Sequence, residues 1–89
     1  MAGGKNRKLN IIDLFAGVGG ISCGFAKAGF RVLSANEYKA DIAFTYKKNH
    51  PKTKMIVDDI TKVKSTDFLI NPSDIVDVVV GGPPCQGFS

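Results

Sequence analysis

The apolar residues of this chain fall into four short runs that are rich in β-branched side chains. Each run has the length of a buried strand, and polar or glycine-containing segments separate the runs. The predicted strands cover residues 9–14, 31–36, 54–57 and 75–80. No hairpin signal joins two neighbouring runs, so the connections between them should be crossovers.

Helical spacing of apolar residues occupies the segments between these runs. The first helix is expected to end at Gly29, a typical capping residue. Its apolar positions are Ile21, Gly24, Phe25 and Ala28. The second helix is predicted over residues 39–49. Its inner face consists of Ile42, Ala43 and Tyr46. Residues 61–72 carry a weaker pattern, which predicts a turn and one loose helical segment.

Strands that alternate with helices predict right-handed crossovers and a parallel sheet. We therefore predict an α/β fold, with a partial doubly wound, Rossmann-like sheet of about four strands that begins at residue 9. Residues 1–8 are predicted to be a flexible basic N-terminus. A chain of 89 residues has little material to cover both faces of such a sheet, so we expect marginal stability or a partner.

The composition is that of a globular protein, with 44% hydrophobic residues. No run is long enough to span a membrane and no secretory signal is evident, so we expect a cytoplasmic location, or a nuclear one in a eukaryote. The two cysteines have no metal-ligand spacing, and no metal site is predicted. The net charge of +4 suits a nucleic-acid partner, although a solvated lysine-rich face is the simpler interpretation.

A glycine-rich turn, Phe15-Ala16-Gly17-Val18-Gly19-Gly20, joins the first strand to the first helix. Glycines let the backbone approach a ligand, and a helix N-terminus offers free N–H groups, so this turn is typical of a nucleotide site. The dinucleotide pattern is incomplete because Ser22 stands where its third glycine would be. A tight turn without a ligand is the alternative interpretation.

Two acids lie where the second and third strands end. Glu37 is placed to reach the hydroxyls of a ribose, and Asp59 is placed to meet an adenine edge. Together with the glycine turn, these positions predict an adenosine-containing cofactor across the carboxyl ends of three strands. Asp13, at the end of the first strand, is expected to be structural and to bond backbone amides at the turn.

Cys85 follows Pro83 and Pro84, just beyond the fourth predicted strand. A thiol on a stiff turn at the carboxyl end of a buried strand is well placed to be a nucleophile. An inert buried thiol is the alternative. Cys23, within the first helix, is expected to pack in the interior, and His50 is expected to be a solvated or capping residue. The aromatic pair Phe25 and Phe30 is expected in the core.

Several of these segments resemble the sequence motifs of a known family. The segments 13–20 (DLFAGVGG) and 82–89 (GPPCQGFS) look like the first and fourth motifs of the DNA (cytosine-5)-methyltransferases. Between them, Asn36-Glu37-Tyr38 and Asp59-Ile60 resemble that family's ribose and adenine contacts. The resemblance runs from about Leu9 to Ser89, which is nearly the whole chain.

The resemblance implies S-adenosylmethionine as cofactor. Phe15 would contact the adenine, Glu37 the ribose, and Tyr38 would lie against the base. Asp59 and Ile60 would read the adenine edge. The backbone around the methionine part would be that of Ala16, Gly17, Val18, Gly19 and Gly20. Pro84 would lie near the transferable methyl group, and Cys85 would be the nucleophile.

The implied substrate is a cytosine in DNA. A thiolate that adds to carbon 6 makes carbon 5 nucleophilic, and loss of the carbon-5 proton later expels the thiolate. The base has to be flipped out of the duplex for this chemistry. Residues 86–89 would begin a mobile loop that closes over DNA.

The family's base-activating glutamate, in a Glu-Asn-Val motif, and its base-holding arginine, in a Gln-x-Arg-x-Arg motif, normally follow the cysteine motif. Neither motif is in these 89 residues. We therefore expect residues 9–89 to be the N-terminal part of a catalytic domain, incomplete at the C-terminus and inactive without a complementing C-terminal polypeptide. The alternatives are an S-adenosylmethionine-binding module without catalysis, a tRNA cytosine-5 methyltransferase, and a nicotinamide-dependent oxidoreductase.

Overall fold

Four parallel strands form the sheet in a computed structural model that describes residues 8–81. They are β1 (Asn10–Leu14), β2 (Arg31–Glu37), β3 (Lys54–Val57) and β4 (Val78–Gly81). Their spatial order is β3-β2-β1-β4, and every neighbouring pair is parallel. The chain therefore steps outward from β1 first to one side and then to the other, as in a doubly wound fold. The predicted α/β class and four-stranded parallel sheet are confirmed.

The register brings the ends of the strands to a common edge. Asp13 of β1 lies beside Ala35 of β2 and Val80 of β4. Glu37, the last residue of β2, lies beside Val57, the last residue of β3. Because the strands are parallel, the segments that follow them all emerge on this side of the sheet, which we call the carboxyl edge.

Two helices, α1 (Gly20–Lys27) and α2 (Ala40–Asn49), make the crossovers between the first three strands. Right-handed crossovers that step in one direction place both helices on one face of the sheet. The core beneath them consists of fully buried residues from both layers. These include Ile11, Leu33, Ala35, Ala43 and Tyr46.

Helix α2 follows its sequence pattern closely. It begins at Ala40, one residue later than predicted, because Lys39 is still extended. Ala43 and Tyr46 are buried and Ile42 is half-buried, so the predicted inner face is confirmed. The residue that ends the helix is His50, whose backbone N–H donates to the Tyr46 carbonyl.

Helix α1 differs from its predicted orientation. Its one buried residue is Ser22, whereas Ile21 is 45% exposed and Cys23 is exposed. The prediction that Cys23 packs in the interior is wrong. The Ser22 hydroxyl is bonded to the buried Asp13 carboxylate, and this contact turns the apolar neighbours of Ser22 toward solvent. The predicted cap Gly29 is confirmed, with a left-handed φ of 95°.

Phe25 and Phe30 pack against each other at the end of α1 rather than in the centre of the molecule. Their rings meet edge to face with centroids 5.2 Å apart, and both residues are half-buried. The expectation that they are core residues is therefore wrong, because both are only partly buried. An edge-to-face pair still stabilises the turn into β2.

The stretch between β3 and β4 contains two 3₁₀ helices, Ile60–Lys62 and Ser65–Phe68. Phe68 is buried in the second of them, and its carbonyl accepts a hydrogen bond from the Ser34 hydroxyl of β2. A single loose helical segment was the expectation for residues 61–72. The segment is helical as expected, but it contains two short 3₁₀ helices instead of one helical segment.

Strand β4 begins later than the predicted run 75–80. Ile75 is exposed, and its carbonyl accepts a hydrogen bond from the Asn10 side chain at 2.8 Å. The Asn10 backbone N–H donates to Asp77 Oδ2 at 2.7 Å. The Asp77 backbone N–H also donates to the Asn10 carbonyl at 3.0 Å, so side-chain and backbone bonds to Asn10 together hold the segment that leads into β4 at Val78. Among residues 8–81, no helix is both long enough and apolar enough to cross a membrane.

Candidate functional site

The segment that leaves β1 forms a tight loop, Phe15 to Gly19, which we call the glycine loop. Three of its residues have a left-handed backbone, with φ of 55° at Phe15, 59° at Gly17 and 103° at Gly19. Glycine adopts such angles without strain, whereas Phe15 is a rare exception among larger residues. The Gly19 N–H donates to the Ala16 carbonyl at 3.1 Å and closes the turn before α1 begins.

Gly19 is required for space as well as for conformation. A Cβ atom at this position would lie 2.6 Å from His50 Nε2 and 3.0 Å from Tyr46 Cδ2. At Gly17 and Gly20 a Cβ would meet no atom of the described residues within 4 Å. The loop is therefore packed tightly against α2 at Gly19, and there is open space at Gly17 and at Gly20, the first residue of α1.

Glu37 holds the glycine loop from the end of β2. Its Oε1 accepts a hydrogen bond from the Gly17 N–H at 2.8 Å, and its Oε2 accepts one from the Lys39 N–H at 3.0 Å. One carboxylate thus joins the loop to the start of α2. Sequence reasoning assigned Glu37 to a ribose and missed this brace, although an acid on the strand beside a glycine turn is the signal that would have indicated it.

Asn36 connects the ends of three strands. Its backbone carbonyl accepts a hydrogen bond from the Ala16 N–H at 2.9 Å. Its side-chain Nδ2 donates to the carbonyls of Ile56 and Asp58, each at 3.0 Å. The amide nitrogen carries two hydrogens, one for each carbonyl, and Asn36 is 1% exposed. The side chain therefore fixes the exit from β3 relative to the glycine loop.

Asp59 follows that exit and begins the first 3₁₀ helix. Its Oδ1 accepts hydrogen bonds from Thr61 N at 2.9 Å and Thr61 Oγ1 at 2.8 Å. These bonds lower the pKa of Asp59, so it is a carboxylate at neutral pH. Its second oxygen accepts no hydrogen bond from any residue in the described range. Asp59 is thus fixed at one oxygen and open at the other.

Aromatic and apolar side chains are exposed beside these polar groups. Tyr38 is 70% exposed directly after Glu37, and Phe15 is 45% exposed at the start of the glycine loop. Val18 is also exposed, and Ile60 is half-buried after Asp59. Flat apolar side chains beside carboxylates form the kind of surface on which a nucleoside can rest.

The predicted site residues from the first three strands thus emerge at the carboxyl edge. Direct bonds join the glycine loop to Glu37 and, through Asn36, to the segment that leads into Asp59. The predicted nucleophile Cys85 and its neighbour Pro84 lie outside the described residues.

A buried polar chain lies under the loop. The Ser22 hydroxyl donates to Asp13 Oδ2 at 2.6 Å and lies 2.7 Å from the Tyr46 hydroxyl, and all three residues are fully buried. Asp13 Oδ1 has no partner among the described residues. Burial raises the pKa of Asp13, although the Ser22 side chain and backbone N–H oppose the shift. Asp13 is thus a buried acid beneath the turn, but its hydrogen-bond partner is Ser22 of α1, so the expectation that it bonds backbone amides at the turn is wrong.

Comparison with known proteins gives this geometry a family. The model of the family described as C-5 cytosine-specific DNA methylase matches residues 9–89. The type II methyltransferase M.NgoPII of Neisseria gonorrhoeae is 52% identical over 81 residues, which cover 91% of this chain and 23% of that protein. For M.DdeI of Desulfomicrobium norvegicum the identity is 49% over 81 residues, which cover 91% of this chain and 19% of that protein.

Two solved methyltransferase structures align with this chain over more than nine-tenths of its length. A protein described as a DNA modification methyltransferase encoded within an Escherichia coli prophage aligns with a TM-score of 0.82 and 40% identity, over 92% of this chain and 24% of that one. A TehB-like SAM-dependent methyltransferase of Corynebacterium glutamicum aligns at a TM-score of 0.66 and 18% identity, over 93% of this chain and 41% of that one, and it shows the fold alone.

The chain spans between about a fifth and a third of the length of the curated relatives that it matches. The matched segment includes the four strands of the described residues, the glycine loop and the acids at the carboxyl edge. This chain belongs to the C-5 cytosine-specific DNA methylase family.

Proposed function

We propose that this chain supplies the cofactor site and the nucleophile of a DNA cytosine-5 methyltransferase that uses S-adenosylmethionine. The observation that carries the proposal is the brace from Glu37 to the Gly17 N–H, which holds an acid and a glycine loop together at the carboxyl edge. Family membership gives the reaction class, and the geometry of the described residues supports the cofactor.

The adenosine half of the cofactor fits the residues beyond β2 and β3. Each Glu37 oxygen accepts one backbone N–H, and each has a further lone pair for a ribose hydroxyl. The open oxygen of Asp59 suits the amino group of adenine. Tyr38 and Phe15 offer exposed rings for the base, and Ile60 would contact its edge.

The methionine half fits the glycine loop and the start of α1. Its backbone from Ala16 through Val18 and Gly19 to Gly20 would surround the amino-acid part. Positions 17 and 20 leave open space where a side chain would otherwise stand. The first N–H groups of α1 have no intrahelical partner, and the helix dipole favours a carboxylate there. When bound, S-adenosylmethionine supplies a methyl group activated by a sulfonium.

Chemistry on the base would fall to Cys85, with Pro84 beside the methyl group. The Cys85 thiolate would add to carbon 6 of a flipped cytosine, which opens the carbon 5–carbon 6 double bond and makes carbon 5 nucleophilic. Carbon 5 would form a bond to the methyl group as the methyl–sulfur bond of the sulfonium breaks and leaves a neutral thioether. Loss of the carbon-5 proton to solvent would then re-form the carbon 5–carbon 6 double bond, break the bond between sulfur and carbon 6, and release the Cys85 thiolate. A DNA substrate also implies the compartment that holds it, the cytoplasm in a bacterium.

We propose further that residues 9–89 act as the N-terminal part of a larger catalytic domain. The relatives are about three to five times as long as the matched segment. The base-activating glutamate, the base-holding arginine and the sequence reader would come from that remaining part, in a complementing C-terminal polypeptide. Without it, we expect no methyl transfer.

Calorimetric titration with S-adenosylmethionine and with NAD tests the cofactor assignment. We expect binding of the first and none of the second, and a Cys85→Ser variant should bind as the wild type does. Binding of NAD alone would contradict the proposal. Methylation of cytosine by a complemented complex, lost in Cys85→Ser, tests the catalytic part, and unchanged turnover by that variant would contradict it.

A further inference from the structure

The last turn of α2 is bonded to the glycine loop at consecutive positions. Asn49 Nδ2 lies 3.4 Å from the Val18 carbonyl, and His50 Nε2 lies 3.2 Å from the Gly19 carbonyl. Tyr46, one turn earlier, extends its hydroxyl to the first turn of α1. We call Tyr46, Asn49 and His50 the α2 clasp. These contacts are separate from the Glu37 brace, and none of them involves the side chain of a residue assigned to the cofactor above.

The direction of the hydrogen bonds through Tyr46 follows from the donor inventory. A serine hydroxyl has one hydrogen, and Ser22 uses it on the Asp13 carboxylate at 2.6 Å. The Tyr46 hydroxyl, 2.7 Å from Ser22 Oγ, therefore donates to it. This chain of bonds is fully buried, so a lost donor cannot be replaced by bulk water.

The contact of His50 has a fixed direction too. A carbonyl only accepts, so Nε2 carries the hydrogen that reaches the Gly19 oxygen. The imidazole also packs on the Tyr46 ring, with centroids 4.6 Å apart and planes inclined by 36°. His50 is thus held in place by one member of the clasp while it holds the loop.

Anchoring the Gly19 carbonyl orients the next peptide N–H. A trans peptide is planar and its C=O and N–H point in opposite directions. The Gly19 oxygen accepts two hydrogen bonds, from the Cys23 N–H of α1 at 2.9 Å and from His50 Nε2 at 3.2 Å, so the Gly20 N–H points away from α2 and His50 adds a second anchor to the one that α1 supplies. A Cβ at Gly20 would meet no atom of the described residues within 4 Å. The Gly20 N–H is the first of α1, where a helix leaves its N–H groups without an intrahelical partner.

We propose that Tyr46 and His50 are positioning residues, which aim the Gly20 N–H at the carboxylate of the cofactor's methionine part. The inference rests on the proposed function, because it names how that same site orients one end of its ligand. Neither side chain touches the ligand; both act through the glycine loop. Asn49 contributes the longer and weaker contact.

Two ligands separate positioning from mere stability. S-adenosylmethionine carries the carboxylate, whereas 5′-methylthioadenosine keeps the adenosine half and lacks it. We expect His50→Leu and Tyr46→Phe to weaken S-adenosylmethionine binding by about 5-fold, as one lost hydrogen bond would, and to leave 5′-methylthioadenosine binding within about 2-fold. A side chain that only stabilised the fold would change both affinities alike.

His50→Gln is the matched rescue variant, because a glutamine Nε2 stands at the same number of bonds from Cβ as the histidine Nε2. It should bind S-adenosylmethionine within about 2-fold of the wild type. Phe44→Leu, on the exposed face of α2 against Lys48, is the control for a change in the same helix and should alter neither affinity.

Calorimetry on the 89-residue chain distinguishes the outcomes. Selective loss of S-adenosylmethionine affinity in Tyr46→Phe and His50→Leu, with rescue by His50→Gln, supports the proposal. Equal losses for both ligands, or no loss, overturn it and leave the proposed function standing. A wild-type chain that binds neither ligand overturns the proposed function and this inference with it.

Discussion

The Glu37 carboxylate accepts a hydrogen bond from the Gly17 backbone N–H at 2.8 Å. This bond crosses from the end of β2 to the loop that leaves β1, so an acid expected to meet a ligand also shapes the loop that would cradle it. A single substitution at Glu37 should therefore affect the cofactor in two ways, by losing a direct contact and by freeing the loop.

Glu37→Gln tests this double role. The amide replaces one acceptor oxygen by a donor, which cannot bond a backbone N–H, so either the Gly17 or the Lys39 contact is lost. We expect about 10-fold weaker binding of S-adenosylmethionine by calorimetry, the result of losing a charge-assisted bond. Asp41→Asn is the matched control, since that exposed acid accepts a hydrogen bond from the adjacent Ile42 N–H and from no other residue of the range 8–81. Unchanged affinity in Glu37→Gln would show that the acid has neither role.

Asn36→Asp should destabilise the fold. The substitution removes the donor that serves the Ile56 and Asp58 carbonyls and sets a carboxylate against both oxygens in a buried position. We expect the free energy of unfolding to fall by about 2 kcal/mol or more, measured by urea denaturation. Asn71→Asp, the same change at an exposed site, should cost little. Equal stability of the two variants would refute the connecting role of Asn36.

A side chain at position 19 should clash with His50, and shortening His50 should relieve part of that clash. In Gly19→Ala the new Cβ would meet His50 Nε2 at 2.6 Å and strain a backbone with φ of 103°. We expect a loss of about 2–4 kcal/mol, against about 1–2 kcal/mol for Gly17→Ala, where only the backbone is strained. Adding His50→Ala to Gly19→Ala should restore part of the difference in a double-mutant cycle. Strict additivity would argue against the close approach of His50 to the loop.

The raised pKa of Asp13 predicts that the difference in the free energy of unfolding between Asp13→Asn and the wild type depends on pH. Burial raises its folded pKa above the ordinary value of 3.8, so the folded chain holds this proton more tightly than the unfolded chain does. The stabilisation is present below about pH 3.8 and is lost as pH rises through the folded pKa. Asp13→Asn lacks this loss, so the free energy of unfolding of the variant minus that of the wild type should increase with pH from about 3.8 upward. Urea titrations at several pH values measure it, and a difference that is flat or falls with pH would contradict the shift.

Local patterns predicted the elements well where packing agreed with them. The run 54–57 became β3 with the same bounds, and Ala43 and Tyr46 of α2 are buried as their spacing indicated. The orientation of α1 was not predictable from spacing, because the decisive contact is between Ser22 and Asp13, nine residues earlier. Apolar periodicity carries no information on a buried polar pair.

The sequence predicted that Glu37 and Asp59 follow neighbouring strands, but it did not predict the hydrogen bonds that hold this edge of the sheet together. Glu37 and Asp59 were identified from their places after strands, a rule of parallel sheets. The brace to Gly17 and the two bonds from Asn36 depend on which strands are neighbours, and that appears only in three dimensions. The contact of His50 with Gly19 was missed for the same reason, since the two residues are 31 positions apart.

The central claim is that S-adenosylmethionine binds across the carboxyl edge of the sheet. Two-dimensional ¹H–¹⁵N NMR of the chain during titration with this cofactor tests it most directly. Saturable shifts of the Gly17, Tyr38 and Ile60 amides are predicted, with little change at Arg31 and Lys54, where β2 and β3 begin. Absence of shifts at saturating cofactor, or shifts confined to Arg31 and Lys54, would contradict the claim.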